Sequence, residues 1–325
     1  MSWRARKRTR EWALQQISQP MNEPARPRRD FRVRRARPLE RLIEAGLLLS
    51  ALTAVGITIS IFWILIGESI GFFQHVGLDR FLTQTRWTPL FANPSYGIAP
   101  LLCGTLLTTL VALALAGPLG FLAAVYLSEF ASTRARETIK PILELLAGVP
   151  TVIYGYFALL FVTPLLQRVI PGLPGFNTLS AGLVIGVMII PYITSLSEDA
   201  MRAVPGALRD GSLALGATRL ETALTVVAPA AASGIAGAFV LGISRAVGET
   251  MVVAIAAGQQ PHITLDPREP AATITAFIAQ VALGDLPHGS IGYQSIFAAG
   301  LALLVITLMF NLLAFWMQRR YREAY

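Results

Sequence analysis

The sequence has little charge, little lysine and almost no cysteine. Only 14% of its 325 residues are charged, whereas an ordinary soluble domain has about 25%. The single cysteine, Cys103, excludes a disulfide within the chain. Three separate histidines without ligand spacing (His75, His262 and His288) argue against a metal site. Together with a hydrophobic content of 54%, the low charge indicates an integral membrane protein.

The scarcity of lysine excludes one large class of enzymes. A P-loop ATPase needs the pattern Gly-x4-Gly-Lys-Ser/Thr, and neither Lys7 nor Lys140 stands in it. The chain also lacks the Gly-x-Ser-x-Gly turn of hydrolases and the His-Glu-x-x-His helix of zinc proteases. No catalytic set is left, so we expect a protein that is not an enzyme and binds no cofactor itself.

Six apolar runs are long enough to cross a membrane, which takes about 20 helical residues. Because the runs are continuous and do not alternate, they predict helices rather than a β-barrel. A seventh apolar stretch, 271–283, is too short to cross and is expected to form an interfacial helix on the outer side. We predict an all-α membrane domain over 42–318, with spans at about 43–67, 100–128, 145–166, 180–198, 230–258 and 293–318.

The positive charges predict the orientation of this domain. Of 27 Lys and Arg residues, 22 fall on one side of the predicted membrane and four on the other. The positive-inside rule then places both termini in the cytoplasm. The net charge of +8 therefore reflects topology and not a nucleic-acid partner. Residues 1–41, rich in Arg and Pro, predict a disordered cytoplasmic arm that contacts anionic lipid headgroups, and 319–325 a cytoplasmic tail.

The predicted fifth span carries two charged residues, Arg245 and Glu249. A charge at the centre of a bilayer costs roughly 2.5–3.5 kcal/mol even on the most lenient scale. Four residues apart on one helix, the two side chains would share a face and could pair. That face is expected to line the bundle interior or a water-filled path. The alternative is a structural ion pair that locks helix packing.

The cytoplasmic loop 199–229 predicts two helices joined by a sharp turn. Pro205 suits a first helical turn, and Gly216 supplies the left-handed residue that commonly ends a helix. Thr218 and Glu221 then form a capping box, which opens a second helix that runs through Pro229 into the fifth span.

The first of these helices has a distinctive surface. One face is predicted to hold Leu208, Ser212 and Leu215, with a stripe of small residues beside it: Ala207, Gly211 and Ala214. Such a helix suits a groove in another protein. The alternative is a hairpin that lies on the membrane surface.

Charged residues also stand at the predicted cytoplasmic edge of the fourth span. Glu198 and Asp199 close that span, and Lys140 and Arg202 can neutralise them. We expect interfacial salt bridges here rather than a gate.

Several segments resemble a known family. The string from Asp210 to Pro229 is similar to the EAA loop of ABC-importer permeases, with Gly216 six positions after the acid and Pro229 at its end. It departs from the usual pattern, since Asp, Gly and Ser replace Glu, Ala and Ala. Segments 140–150 and 242–251 resemble the PstC-type permeases of bacterial phosphate importers, and Arg245-Ala-Val-Gly-Glu-Thr-Met is the most specific part.

This resemblance implies a type I, MetI-like permease fold in the cytoplasmic membrane, with Arg245 and Glu249 as the transport-critical charges. It implies partners as well: a PstA-like second permease, a PstB-like ATPase dimer that uses ATP and Mg²⁺, a periplasmic phosphate-binding protein and membrane lipids. The ATPase-coupling loop it implies consists of Pro205, Leu208, Arg209, Asp210, Gly211, Ser212, Leu215, Gly216 and Ala217.

The expected function is therefore the import of inorganic phosphate, for which a guanidinium is a suitable ligand because its fork of donors matches an oxyanion. A permease for another oxyanion, such as sulfate, molybdate or phosphonate, is the nearest alternative. An ATP-independent channel or secondary transporter that uses Arg245 and Glu249 as a gate or proton relay is a more distant one. The cytoplasmic hairpin separates these classes, because a channel does not need to bind an ATPase.

Overall fold

The computed structural model describes residues 38–320, and within that range the chain is helical, with only two isolated β-bridges. Residues 1–37 of the predicted arm and residues 321–325 of the predicted tail therefore lie outside the described range. The first helix begins at Pro38, a few residues before the predicted end of the arm. The described residues divide into two units at Ser60 and Ile61. The described residues of the first unit form the start of this helix, and the second unit holds everything discussed below.

The helices follow one another through short loops. Several continue into a π-helical turn, after α3 (Tyr126–Phe130), α5 (Ala158–Val162), α9 (Ala223–Val227) and α13 (Val281–Asp285). Their bounds are α1 Pro38–His75, α2 Leu78–Thr83, α3 Ala99–Val125, α4 Thr133–Ala147, α5 Thr151–Phe157, α6 Thr163–Val169, α7 Thr178–Arg202, α8 Gly206–Ala214, α9 Arg219–Thr222, α10 Ala228–Ala230, α11 Ala232–Val247, α12 Met251–Ala256, α13 Ile274–Gln280 and α14 Ile291–Arg320.

Five of the described helical stretches are long and apolar enough to cross a membrane. A sixth is obtained if two stretches that meet at a bend of 77°, Arg219–Ala230 and Ala232–Val247, form one span. The five are Glu40–His75, Ala99–Phe130, Thr151–Val169, Thr178–Arg202 and Ile291–Leu313.

The third span begins later than the sequence predicts. The predicted stretch 145–166 starts inside α4, an amphipathic helix that is separate from the span. Ser132 caps α4 by accepting a hydrogen bond from the backbone N–H of Ala135. The chain then breaks before Pro150, because a proline cannot donate to a helix and disfavours helical geometry in the residue before it.

The short apolar stretch on the outer side also forms a helix, α13. Ile274 and Phe277 on this helix are buried in an aromatic-rich core with Phe72, Trp87 and Tyr96. The ring of Trp87 stands edge-on to that of Phe277, with 5.0 Å between the centroids. The described side chains around α13 thus bury its apolar residues in the protein core.

Helices α3 and α7 pack closely at the centre of the second unit, and glycine makes this possible. A Cβ atom on Gly186 of α7 would stand 2.9 Å from the carbonyl oxygen of Ala112 on α3. One on Gly182 would stand 2.6 Å from Val111. Small residues at this spacing let membrane helices approach each other.

Substituting Gly186 tests this packing. Gly186→Val is expected to lower the free energy of unfolding by about 1–3 kcal/mol, because the added methyl groups force the two backbones apart. Thermal denaturation of the purified protein in detergent measures the change. Gly175→Val is the matched control, since a Cβ atom there would meet nothing within 4 Å. Equal losses of stability for the two variants would show that the close packing of α3 and α7 at Gly186 does not stabilise the fold.

Candidate functional site

The predicted fifth span is broken at the charged residues. The prediction of one continuous helix over 230–258 is wrong, because α11 ends at Val247 and α12 begins at Met251. With 16 residues, α11 alone is shorter than the roughly 20 residues needed to cross. Irregular backbone at membrane depth is tolerated where it is buried in protein or lines a wet cavity.

Glu249 explains part of this break. Its carboxylate Oε1 accepts hydrogen bonds from the backbone N–H groups of Met251 (3.0 Å) and Val252 (3.3 Å), at the start of α12. A carboxylate at this position satisfies donors that no helical carbonyl can reach and suits the positive end of the helix dipole. The side chain of Thr275 on α13 donates to the Glu249 carbonyl (2.6 Å). Glu249 is therefore fixed in place, and the residue is only 4% exposed.

Arg245 stands on the other side of the break, and it is exposed. The predicted pairing of Arg245 with Glu249 is wrong: within residues 38–320 no ion pair joins them, because the helix ends before it can bring both side chains to one face. The Arg245 guanidinium instead lies over the ring of Tyr192 on α7, 5.9 Å from its centroid, in a cation–π arrangement. No hydrogen bond among the described residues takes up its N–H donors, which can therefore bind a ligand.

The broken segment is packed against the third span. A Cβ atom on Gly155 of α5 would stand 2.8 Å from Ile255 and 3.2 Å from the carbonyl oxygen of Met251. Only glycine allows α5 to come so close to α12. Protein therefore covers one side of the break, while Arg245 is exposed on the preceding helix.

The cytoplasmic hairpin has the predicted local structure. Pro205 immediately precedes α8, Gly216 takes the left-handed conformation with φ of +91°, and Thr218 and Glu221 form both bonds of the capping box. The backbone and side chain of Thr218 donate to Glu221 and hold the pKa of that carboxyl below its ordinary value. The second arm does not run straight into the fifth span, however, because the chain bends by 77° around Ala231.

The coupling-loop residues divide between two environments. Leu215 caps the end of α8 and is 91% exposed, whereas Leu208 packs in an apolar cluster and Ser212 contacts Thr222 at 2.9 Å. Arg209 and Ala217 are half-buried. The exposed members are Pro205, Asp210, Gly211, Leu215 and Gly216, together with the small residues Ala207 and Ala214.

A buried charge cluster lies close to this hairpin. Glu198 on α7 is fully buried and meets Lys140 (2.8 Å), Arg136 (3.4 Å) and Arg202 (3.4 Å). Lys140 also contacts the exposed Asp199 at 2.6 Å. The predicted salt bridges with Lys140 and Arg202 are confirmed. The contact with Arg136 and the burial of Glu198 could not be predicted, because both follow from how α4 folds over α7.

Lys140 keeps its charge in this cluster. Burial alone would lower its pKa, but hydrogen bonds to Asp199 and Glu198 raise the pKa above the ordinary value. A base with a raised pKa contributes its stabilisation below its unfolded pKa and loses it only as the pH rises through the folded value. Lys140 therefore stays protonated throughout the neutral range.

The chain matches the family described as "Binding-protein-dependent transport system inner membrane component" over residues 116–323. It belongs to this family of transport permeases and is a multi-pass protein of the cytoplasmic membrane. The match covers well over half of the sequence, and it begins within α3.

Two relatives confirm the predicted resemblance. The phosphate transport system permease protein PstC of Haemophilus influenzae is 32% identical over 286 residues, which cover 82% of this chain and 89% of the relative. The protein of the same name from Mesorhizobium japonicum is 34% identical over 262 residues, covering 74% and 78%.

Solved structures confirm the type I, MetI-like fold. A chain of a bacterial ABC transporter involved in the import of the acidic polysaccharide alginate superposes with a TM-score of 0.61, over 88% of this chain and 100% of that chain, at 19% identity. An inward-facing structure of the MetNI methionine ABC transporter gives 0.51, over 70% and 95%, at 16% identity. At these identities the likeness concerns the fold alone.

Proposed function

We propose that this chain is one of the two permease subunits of an ATP-driven importer of inorganic phosphate. The observation that carries the proposal is the exposed guanidinium of Arg245 beside a broken span. The carboxylate of Glu249 on the other side of the break already accepts hydrogen bonds from the backbone. The names of the relatives support phosphate as the substrate.

Arg245 is the residue that would meet the anion. Its fork of donors can bind two phosphate oxygens at once, and the Tyr192 ring beneath holds the guanidinium in position without taking up its N–H groups. Broken helices near the middle of the membrane are a common way in which transporters present a substrate site. Glu249 leaves a negative charge nearby, which limits how tightly an anion is held and so favours its release.

The partners follow from the same proposal. Both termini and the hairpin face the cytoplasm, where a PstB-like ATPase dimer binds the hairpin and uses ATP and Mg²⁺. A PstA-like permease completes the path, and a periplasmic phosphate-binding protein delivers the anion from outside. This chain itself binds no cofactor. The exposed small residues of α8 support the docking step, since they let another surface approach the helix closely.

Anion competition tests the substrate. In cells that rely on this importer, uptake of labelled phosphate is expected to be unaffected by a hundredfold excess of sulfate or molybdate. Suppression of uptake by sulfate would assign the permease to another oxyanion.

The docking step is tested at Leu215. Leu215→Ala is expected to lower the amount of ATPase that co-purifies with the permease about fivefold, because an exposed leucine at the tip of a docking hairpin loses its apolar contact. Leu265→Ala is the matched control, since Leu265 is 84% exposed but lies in the loop predicted to be external. Equal capture of ATPase by the two variants would contradict docking at the hairpin tip.

A further inference from the structure

Arg209 lies on α8, the helix of the predicted ATPase-coupling loop, which we call the coupling helix. Its side chain points inward, towards the membrane domain. Its Nε and Nη2 atoms donate to the two carboxylate oxygens of Glu129, each at 3.1 Å. Its Nη1 atom donates to the carbonyl of Val204 and its Nη2 atom to that of Met201, both at 2.7 Å. The side chains of Arg209 and Glu129 are only 22% and 10% exposed. Almost every donor of this guanidinium is therefore in use.

These acceptors belong to two different spans. Glu129 lies in the π-helical turn that ends the second span, and Met201 and Val204 lie at the end of the fourth. One side chain thus joins the coupling helix to both. A bidentate, charge-assisted contact resists sliding in a way that apolar contacts do not.

The same turn is bound from a second direction. Arg136 on α4 donates to the carbonyls of Leu127 (2.7 Å) and Ser128 (3.3 Å), and it contacts Glu198 of α7 at 3.4 Å. A continuous polar network therefore runs from the coupling helix through the end of the second span to α4 and the fourth span. Such networks can carry a displacement between distant elements.

We propose that Arg209 is the positioning residue that transmits movement of the coupling helix to the second and fourth spans, through Glu129. The other described side-chain contacts of α8 serve this purpose less well. Leu208 packs in an apolar cluster, and Ser212 contacts Thr222 within the hairpin itself. This inference rests on the proposed function, because it assumes an ATPase that moves α8.

The test measures how well ATP hydrolysis is coupled to phosphate transport, separately from how much ATPase is bound. Assembled complexes in proteoliposomes are assayed for the amount of bound ATPase, the rate of ATP hydrolysis and the phosphate transported per ATP. Arg209→Gln is expected to lower the phosphate transported per ATP about tenfold while bound ATPase stays within twofold of wild type. Arg219→Gln, on the exposed side of the same hairpin, is the control and is expected to keep the wild-type ratio.

A double-mutant cycle assigns the effect to the pair. Glu129→Ala is expected to lower the ratio as Arg209→Gln does, and the double variant no further than either single one, because both remove the same contact. Additive losses would overturn the inference, as would an unchanged ratio in Arg209→Gln.

Two milder variants decide the outcome if Arg209→Gln fails to assemble. Arg209→Lys and Glu129→Gln keep a hydrogen bond but lose the fork, and each is expected to show an intermediate ratio; a wild-type ratio in both would overturn the inference. Absence of ATPase from the wild-type complex would instead refute the proposed function.

Discussion

Glu198→Ala is expected to lower the free energy of unfolding by about 3–5 kcal/mol, the usual cost of removing one partner from a buried ionic cluster. Glu198 is fully buried, and three cationic side chains surround its carboxylate. Without it, the half-buried Arg136 and Lys140 lose the carboxylate that they share. Thermal denaturation in detergent, followed by recovery of monodisperse protein, measures the loss.

Asp199→Ala is the matched control for this prediction. Asp199 adjoins Glu198 and contacts the same Lys140, but its side chain is 58% exposed. An exposed ion pair of this kind contributes up to about 1 kcal/mol. Glu198→Gln, which keeps the volume and removes the charge, is expected to resemble Glu198→Ala. Equal effects at the two acidic positions would show that burial of the cluster does not stabilise the fold.

Arg245→Gln is expected to lower phosphate uptake by about tenfold to a hundredfold, because a neutral amide cannot replace two charge-assisted hydrogen bonds to the anion. Uptake of labelled phosphate is measured in cells, with the assembled complex quantified in parallel. Arg168→Gln is the control, since Arg168 is an exposed arginine at the end of the third span. Normal uptake in Arg245→Gln would reduce Arg245 to a packing role.

Glu249 offers a sharper variant of the same experiment. Glu249→Gln keeps an oxygen that can accept from Met251 and Val252, so the start of α12 is preserved while the charge is lost. We expect uptake to fall about tenfold here too, because the site then holds the anion longer. Glu249→Ala removes the cap as well and is expected to cost a further ~1 kcal/mol of stability. Unchanged uptake in Glu249→Gln would leave the residue with a capping role alone.

The hairpin could be predicted closely because its signals are local. The turn at Gly216 and the capping box of Thr218 and Glu221 involve residues within a few positions of one another, so spacing alone specifies them. The number and approximate position of the apolar helices could be predicted for the same reason, since length and hydropathy are local quantities.

The break at Glu249 could not be predicted in this way. Apart from the two charges, the run from Ala232 to Ala256 holds only small or apolar residues and three hydroxyl side chains, and membrane helices tolerate a residue such as Gly248. Two of the contacts at the break are tertiary, and no local pattern shows them: the close approach of Gly155 to α12 and the bond from Thr275 to the Glu249 carbonyl. Counting four residues from Arg245 to Glu249 therefore predicted a pair that the fold does not make.

The contact between Arg209 and Glu129 could not be predicted from the sequence for a similar reason. Its partner Glu129 lies 80 positions earlier, and no periodicity joins the two. The sequence predicted a cytoplasmic position for Arg209 but could not show which residue it contacts. Residues attributed to a docking surface by resemblance can thus face the protein's own interior.

The most direct test of the central claim is phosphate transport by the purified complex in proteoliposomes, with ATP supplied on the side of the ATPase. The complex contains this chain, the second permease and the ATPase, and the binding protein is added on the opposite side. Phosphate is expected to accumulate only when ATP and the binding protein are both present, and Arg245→Gln is expected to abolish most of the accumulation. Phosphate movement without ATP, or accumulation that is indifferent to Arg245, would contradict a motor-driven permease with its anion site at the broken span.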